Sequence, residues 1–219
     1  MDQKSPVKYQ YLLFDLDGTL SNPKEGITRS VQYALRDQGI IENDLDKLTI
    51  FIGPPLEESF MNYYGMSKEE AAQATQKYRE RFIPIGAYEN MIFEDTKEVL
   101  QTLQKHGYHL CIATSKPEAI ALKIIDHFEI TSYFDLIKGA SETRKQKEEV
   151  IEDALALLNH PDPSVCLMIG DRKHDIIGAK KNHIDSAGLR CGFALEGELE
   201  SHGATYIFDS LTKLKEFLI

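Results

Sequence analysis

Asp15 and Asp17, two residues apart and followed by Gly18 and Thr19, are the residues whose types and spacing most clearly suit chemistry. They close the run Tyr11-Leu12-Leu13-Phe14, which carries no charge and reads as a buried strand of a parallel sheet. In an open α/β sheet, ligands bind at the carboxyl ends of the strands, which is where Asp15 falls. The i, i+2 spacing sends both carboxylates to one side of an extended backbone. Carboxylates held that close repel, so the pair calls for a bound cation or a shared proton. Gly18 permits a turn and lets a backbone N–H approach whatever the carboxylates face. A calcium loop would need a further ligand at its fifth position and Glu at its twelfth. Thr19 and Gly26 stand there and exclude it.

Two later apolar runs end in polar clusters of the same kind. Thr114-Ser115-Lys116 follows the run from Tyr108 to Ala113 and offers hydroxyls and backbone amides suited to phosphate oxygens. Gly170-Asp171-Arg172-Lys173-His174-Asp175 follows Val165 to Ile169 and adds two carboxylates, Asp171 and Asp175. Taken singly, Thr114 is an ordinary strand-to-helix cap and Asp171 an ordinary turn residue. Converging at strand ends, carboxylates, hydroxyls and basic residues describe a magnesium-assisted phosphoryl site.

The elements that must position these groups can be read in order. Residues 1–8 are polar and read as loose. Asn22 as cap and Pro23 at the first helical position open a helix that ends before Gly39, and Leu56 to Tyr64 is a second helix. Ser67-Lys68-Glu69-Glu70 is a capping box for a third, reaching about Phe82, and Pro84 and Gly86 mark a hinge. Residues 21–87 are therefore expected to form an all-helical cap domain inserted after the first strand. From Asp95 onward helices and short strands alternate. The prediction is an α/β fold, a doubly wound Rossmann-like parallel sheet, built from residues 1–20 and 88–219. His183 falls where a helix would end on Gly, and a left-handed backbone is expected there.

The chain resembles the haloacid dehalogenase-like superfamily, whose hallmarks occur in order: Asp15-Leu16-Asp17-Gly18-Thr19, the strand-ending Thr114, a lysine, and Gly170-Asp171 with Asp175. The resemblance covers essentially the whole chain and implies an enzyme, a Mg²⁺-dependent phosphatase. It makes Asp15 the nucleophile and Asp17 the general acid/base. It makes Thr114 a phosphate-binding catalytic residue, with Gly18 and Ser115 beside the phosphate. Asp15, Asp17 (through its carbonyl) and Asp171 become metal ligands, supported by Asp175. Lys147-Glu148-Glu149-Val150-Ile151 matches the related pattern Lys-x-Glu-Val-Ile, so Lys147 is the expected catalytic and phosphate-binding lysine, with Lys145 as the fallback. Relatives that cleave carbon–halogen bonds lack the second aspartate, and phosphate-pumping ATPases carry threonine there, so Asp17 disfavours both. Ile52-Gly53-Pro54-Pro55-Leu56 resembles a phosphoglycolate phosphatase-like or 5′-nucleotidase-like branch. Nucleoside 5′-monophosphates are then the expected substrates. Phosphoglycolate, a β-phosphoglucomutase-like phosphomutase and a non-catalytic regulatory role are the alternatives.

Bulk composition fits. The chain has 219 residues with 25 basic against 35 acidic, a net charge of -10, which disfavours nonspecific binding to nucleic acid. No apolar stretch suits a signal peptide or a bilayer span, so a cytoplasmic enzyme of small phosphorylated metabolites, with no membrane partner, is expected. A monomer or weak homodimer is expected. Cys111, Cys166 and Cys191 fall in strand-like segments without close spacing and read as reduced core thiols.

Overall fold

A computed structural model describes residues 8–219; of residues 1–8, expected to be loose, 1–7 lie outside the described residues and Lys8 pairs with Asp185 at 2.8 Å. The described residues form two compact units, one of residues 8–20 and 92–219 and one of residues 21–91.

In chain order the elements are β1 (Tyr11–Phe14), β2 (Ser21–Asn22), α1 (Lys24–Asp37), α2 (Leu56–Tyr64), α3 (Lys68–Arg81), β3 (Met91–Ile92) and α4 (Thr96–Lys105). There follow β4 (His109–Pro117), α5 (Glu118–His127), β5 (Leu136–Ala140), α6 (Lys147–Leu157), β6 (Cys166–Gly170) and α7 (Lys173–Lys181). The chain ends in β7 (Asp185–Leu189), α8 (Glu198–Ser201), β8 (Tyr206–Phe208) and α9 (Leu211–Leu218).

Among the described residues of the larger unit, six parallel strands form one sheet in the order β5-β4-β1-β6-β7-β8. The chain steps outward from β1 through β4 to β5, then crosses back to β6 and steps outward again. The winding therefore reverses beside β1, the place where open α/β sheets bind ligands. Strand alternation explains the core. Leu13, Cys111 and Met168 point to one face and pack with Val150, Ile151 and Ala154 of α6 and Ala179 of α7. This gives the α/β architecture expected from the alternating pattern, with a helical region inserted between β1 and β4.

β4 runs four residues beyond the apolar run that revealed it. The backbone stays extended through Thr114-Ser115-Lys116, and its register against β5 shifts between Thr114 and Pro117. Apolar content marks where a strand is buried, and here the strand outlasts its burial. Two other details differ from expectation. α1 begins at Lys24 with Pro23 at the cap position, while the Asn22 side chain still accepts the Lys24 N–H at 3.0 Å. Cys111 and Cys166 are buried in β4 and β6, where burial pushes their thiols up to about 12 and about 11. Cys191 instead lies exposed in the turn after β7. His183 has a left-handed φ of 59°, as its place after α7 suggested.

In the smaller unit α1 packs on α3, and α2 on α3. Phe51 and Phe60 meet at 4.9 Å between ring centroids, inside a core that includes Val31, Leu35 and Leu48. Ser67 and Glu70 close a reciprocal capping box at the start of α3. A π-turn from Phe82 to Gly86 carries the helix past Pro84, and Arg81 grips Glu89 with two bonds of 2.8 and 2.9 Å. No helix among the described residues is long and apolar enough to cross a membrane.

Candidate active site

The strand register brings the polar clusters together. Phe14 of β1 lies level with Ile112 of β4 and Ile169 of β6. The residues just beyond them, Asp15, Thr114 and Asp171, therefore emerge at one edge. Asp15 is fixed there by its N–H, which donates to the Ile169 carbonyl at 2.8 Å.

Lys147, in the first turn of α6, reaches into this edge. Its ammonium lies 2.6 Å from Asp15 Oδ1 and 2.8 Å from Asp175 Oδ1, and donates to the Ala113 carbonyl at 2.9 Å. Two of these contacts are hydrogen bonds, to Asp15 and Ala113, and the third is an ion pair with Asp175. Burial works to discharge Lys147, but Asp15 and Asp175 outweigh it and hold its pKa above the ordinary lysine value. α6 begins where it does because the Glu149 carboxylate accepts the N–H groups of both Lys145 and Gln146, at 2.8 and 3.0 Å. Lys145 thus stands outside the helix with its side chain exposed, and it is Lys147 that meets Asp15.

Asp15, Asp171 and Asp175 each offer an oxygen such that the three lie within 4.8 Å of one another, all buried. Asp175 also caps α7, accepting the Arg172 N–H at 3.0 Å. Burial, then repulsion from Asp175, raises the Asp171 carboxyl well above the ordinary 3.8. Burial also raises Asp175, opposed by Lys147. Asp17 stands apart from this trio. Its Oδ2 pairs with Lys116 at 2.7 Å, while its buried Oδ1 has no hydrogen-bond partner among the described residues. Burial raises the Asp17 pKa, with Lys116 pulling the other way. Thr114 is buried and its hydroxyl accepts the Lys116 N–H at 3.3 Å, while Ser115 is half-buried beside it. Gly18 adopts φ 83°, and a side chain there would overlap the Asp171 carboxylate.

Four carboxylates thus face two ammonium groups, since Arg172 is matched by Glu198 at 3.0 Å. With all four ionised, two negative charges would be left over, which one divalent cation would balance. All-oxygen donors suit Mg²⁺ or Ca²⁺ over softer metals, so the residues present fit such an ion.

The Lys116 side chain, Glu198 and the Phe193 N–H, which donates to Asp171 Oδ2 at 2.6 Å, are groups near these carboxylates that were given no individual role from the sequence. Lys116 carried a readable signal: it lies two residues past Thr114 and so shares its side of an extended strand. Nothing in the spacing pointed to Phe193 or Glu198.

A profile of the haloacid dehalogenase-like hydrolases matches residues 12–189. The chain is 44% identical to a 5′-nucleotidase of Pseudomonas aeruginosa, covering 97% of this chain and 96% of that protein. It is 34% identical to the tyrosine-protein kinase PtkA of Mycobacterium tuberculosis, over 95% of this chain and 72% of the kinase. A crystal structure of a predicted phosphatase from Clostridium acetobutylicum superposes with a TM-score of 0.92 at 42% identity, covering 96% of this chain and 98% of that one.

Proposed function

The chain belongs to the haloacid dehalogenase-like hydrolases and is a phosphatase of that family, and we propose that it hydrolyses nucleoside 5′-monophosphates through an aspartyl-phosphate on Asp15. The observation that carries the mechanism is the division of labour between two lysines. Lys147 joins Asp15 to Asp175, while Lys116 holds Asp17 separately, so two aspartates two residues apart have different surroundings.

In the proposed reaction an Asp15 oxygen forms a bond to phosphorus as the ester P–O bond breaks. Asp17 gives its proton to the departing ester oxygen. Asp17 then takes a proton from water, whose oxygen bonds to phosphorus as the Asp15–phosphorus bond breaks and inorganic phosphate leaves. Burial of Asp17 favours the protonated form that the first step needs. Lys147 offsets the charge of Asp15 as the phosphoryl dianion approaches, and the Thr114 and Ser115 hydroxyls would hold phosphoryl oxygens. Mg²⁺ bound by Asp15, Asp171 and the Asp17 carbonyl, with Asp175 in support, would supply positive charge to the phosphoryl oxygens.

The core groups act on the phosphoryl unit, so selection among leaving groups falls to the helical unit of residues 21–91, which we read as a cap. Preference for nucleoside monophosphates over phosphoglycolate draws on the 44% identity with the Pseudomonas nucleotidase. Phosphoryl transfer to protein tyrosine is a second reading, favoured by the 34% identity with the mycobacterial kinase. A panel of nucleoside monophosphates, phosphoglycolate, sugar phosphates and phosphotyrosine peptide, assayed for phosphate release with Mg²⁺, tests the assignment. The nucleotides should give the highest kcat/KM. Phosphate release unchanged in excess EDTA, or phosphoglycolate leading the series, would overturn it.

A further inference from the structure

Among the described residues, lysines pair with Asp15, Asp17 and Asp175, and none pairs with Asp171. It is fully buried, and its Oδ2 accepts the Phe193 N–H at 2.6 Å, with the Thr19 hydroxyl 3.4 Å from Oδ1. A side chain on Gly192 would overlap the same carboxylate, so the turn between β7 and α8 forms one wall of it. A buried side chain, Glu198, the first residue of α8, is bonded to the same turn. Its Oε2 accepts the Leu195 N–H at 3.0 Å, two residues past Phe193. Its Oε1 accepts the Lys173 N–H at 2.7 Å, two residues past Asp171, and Arg172 Nε–H at 3.0 Å. Burial opposes the charge on Glu198, but these N–H groups and Arg172 outweigh it and hold the carboxyl below its ordinary value.

We propose that Glu198 is a positioning residue for the metal ligand Asp171, one carboxylate fastening both loops that orient it. The inference rests on the reading of Asp171 as a ligand given above. The role needs a group that accepts on both oxygens. A carboxamide of the same shape would turn an N–H toward either Leu195 or the Arg172–Lys173 side and release one loop.

The test is Mg²⁺ binding to full-length protein by calorimetry, together with the rise in Tm that Mg²⁺ produces. Glu198→Gln should weaken Mg²⁺ affinity by about tenfold to hundredfold, the cost of losing a group that orients a ligand. The kcat at saturating Mg²⁺ should return close to that of the native enzyme, which a general loss of structure would not allow. Mg²⁺ affinity within about twofold of native in folded Glu198→Gln would overturn the proposal. Should that variant fail to fold, Phe193→Pro removes the N–H that the clasp delivers. Weakened Mg²⁺ binding then supports the proposal and unchanged binding overturns it. Asp171→Ala separates the two readings. If it binds Mg²⁺ like the native protein, the ligand assignment itself fails. If it loses Mg²⁺ while Glu198→Gln does not, only the clasp fails.

Discussion

Replacing Lys147 with Met tests the centre of the site, because the side chain keeps much of its length and apolar stem while losing its charge. The ammonium it removes is buried and contacts Asp15 at 2.6 Å, Asp175 at 2.8 Å and the Ala113 carbonyl at 2.9 Å. Two carboxylates lose their shared cation, and breaking a buried pair by deleting one partner costs about 3–5 kcal/mol. Urea unfolding without Mg²⁺ at about pH 8 should show a loss of that size, shrinking toward about pH 5 as Asp175, already raised by burial and now without Lys147, takes up a proton. Activity should fall separately. Withdrawing one preorganised charge from a phosphoryl site costs about 10²–10³ in kcat, and saturating substrate should not restore it. The control is Lys145→Met, where the side chain is exposed, and it should stay within about 0.5 kcal/mol of native stability with kcat unchanged. Lys147→Met retaining kcat within about tenfold of native, or Lys145→Met losing as much, would refute the assignment.

Asp15→Asn should nearly abolish turnover with the fold intact, checked by circular dichroism beside the p-nitrophenyl phosphate assay. Asp17→Asn should hurt an alkyl phosphate more than p-nitrophenyl phosphate, whose leaving group needs little protonation; equal penalties would remove Asp17 from the acid role. Burial raises Asp171 and Asp175 above 3.8, so the metal-free folded protein binds protons that the unfolded chain does not, and its stability falls as pH rises through the folded values. The increase in Tm on adding Mg²⁺ should therefore be small near about pH 5 and grow toward about pH 8, and a constant increment would contradict the clustered-carboxylate reading. In the proposed cap, replacing Pro54 and Pro55 together with Gly should loosen the turn before α2 and reorder kcat/KM among esters. Inhibition by inorganic phosphate, which reports the core, should hardly change.

The strand-end clusters were legible because reaction chemistry restricts residue type. Carboxylates, hydroxyls and basic residues closing several apolar runs suit a hard cation and phosphate oxygens, so Asp15, Asp17, Thr114 and Asp171 were candidates before any geometry. The sheet register then accounts for their meeting, since Phe14, Ile112 and Ile169 are level. The choice between Lys147 and Lys145 was harder to read, as it turns on where α6 begins, and that depends on which N–H groups the Glu149 carboxylate captures. A shift of two residues rotates a helix side chain to another face, while the composition of the segment stays the same. Lys116 was obscured differently. Its cluster was read for hydroxyls and backbone amides; with β4 running to Pro117, its side chain alternates onto the side of Thr114 and faces Asp17.

Glu198 shows where sequence reasoning stops, and for a physical reason. It lies 26 residues beyond Arg172, in a helix of four residues. Its task is to accept hydrogen bonds from two loops, which a glutamate does as well at any surface turn. Type alone therefore says nothing, and the role exists only once β7 and α7 have brought Leu195 and Lys173 within reach of one carboxylate. Residues that touch the reacting atoms are limited by electronic demands that few side chains meet. Residues that hold them are limited by distance and direction, which the folded chain supplies. That difference is why the charges of this site can be read in order along the chain, whereas the clasp on Asp171 follows only from the packing of the loops around it.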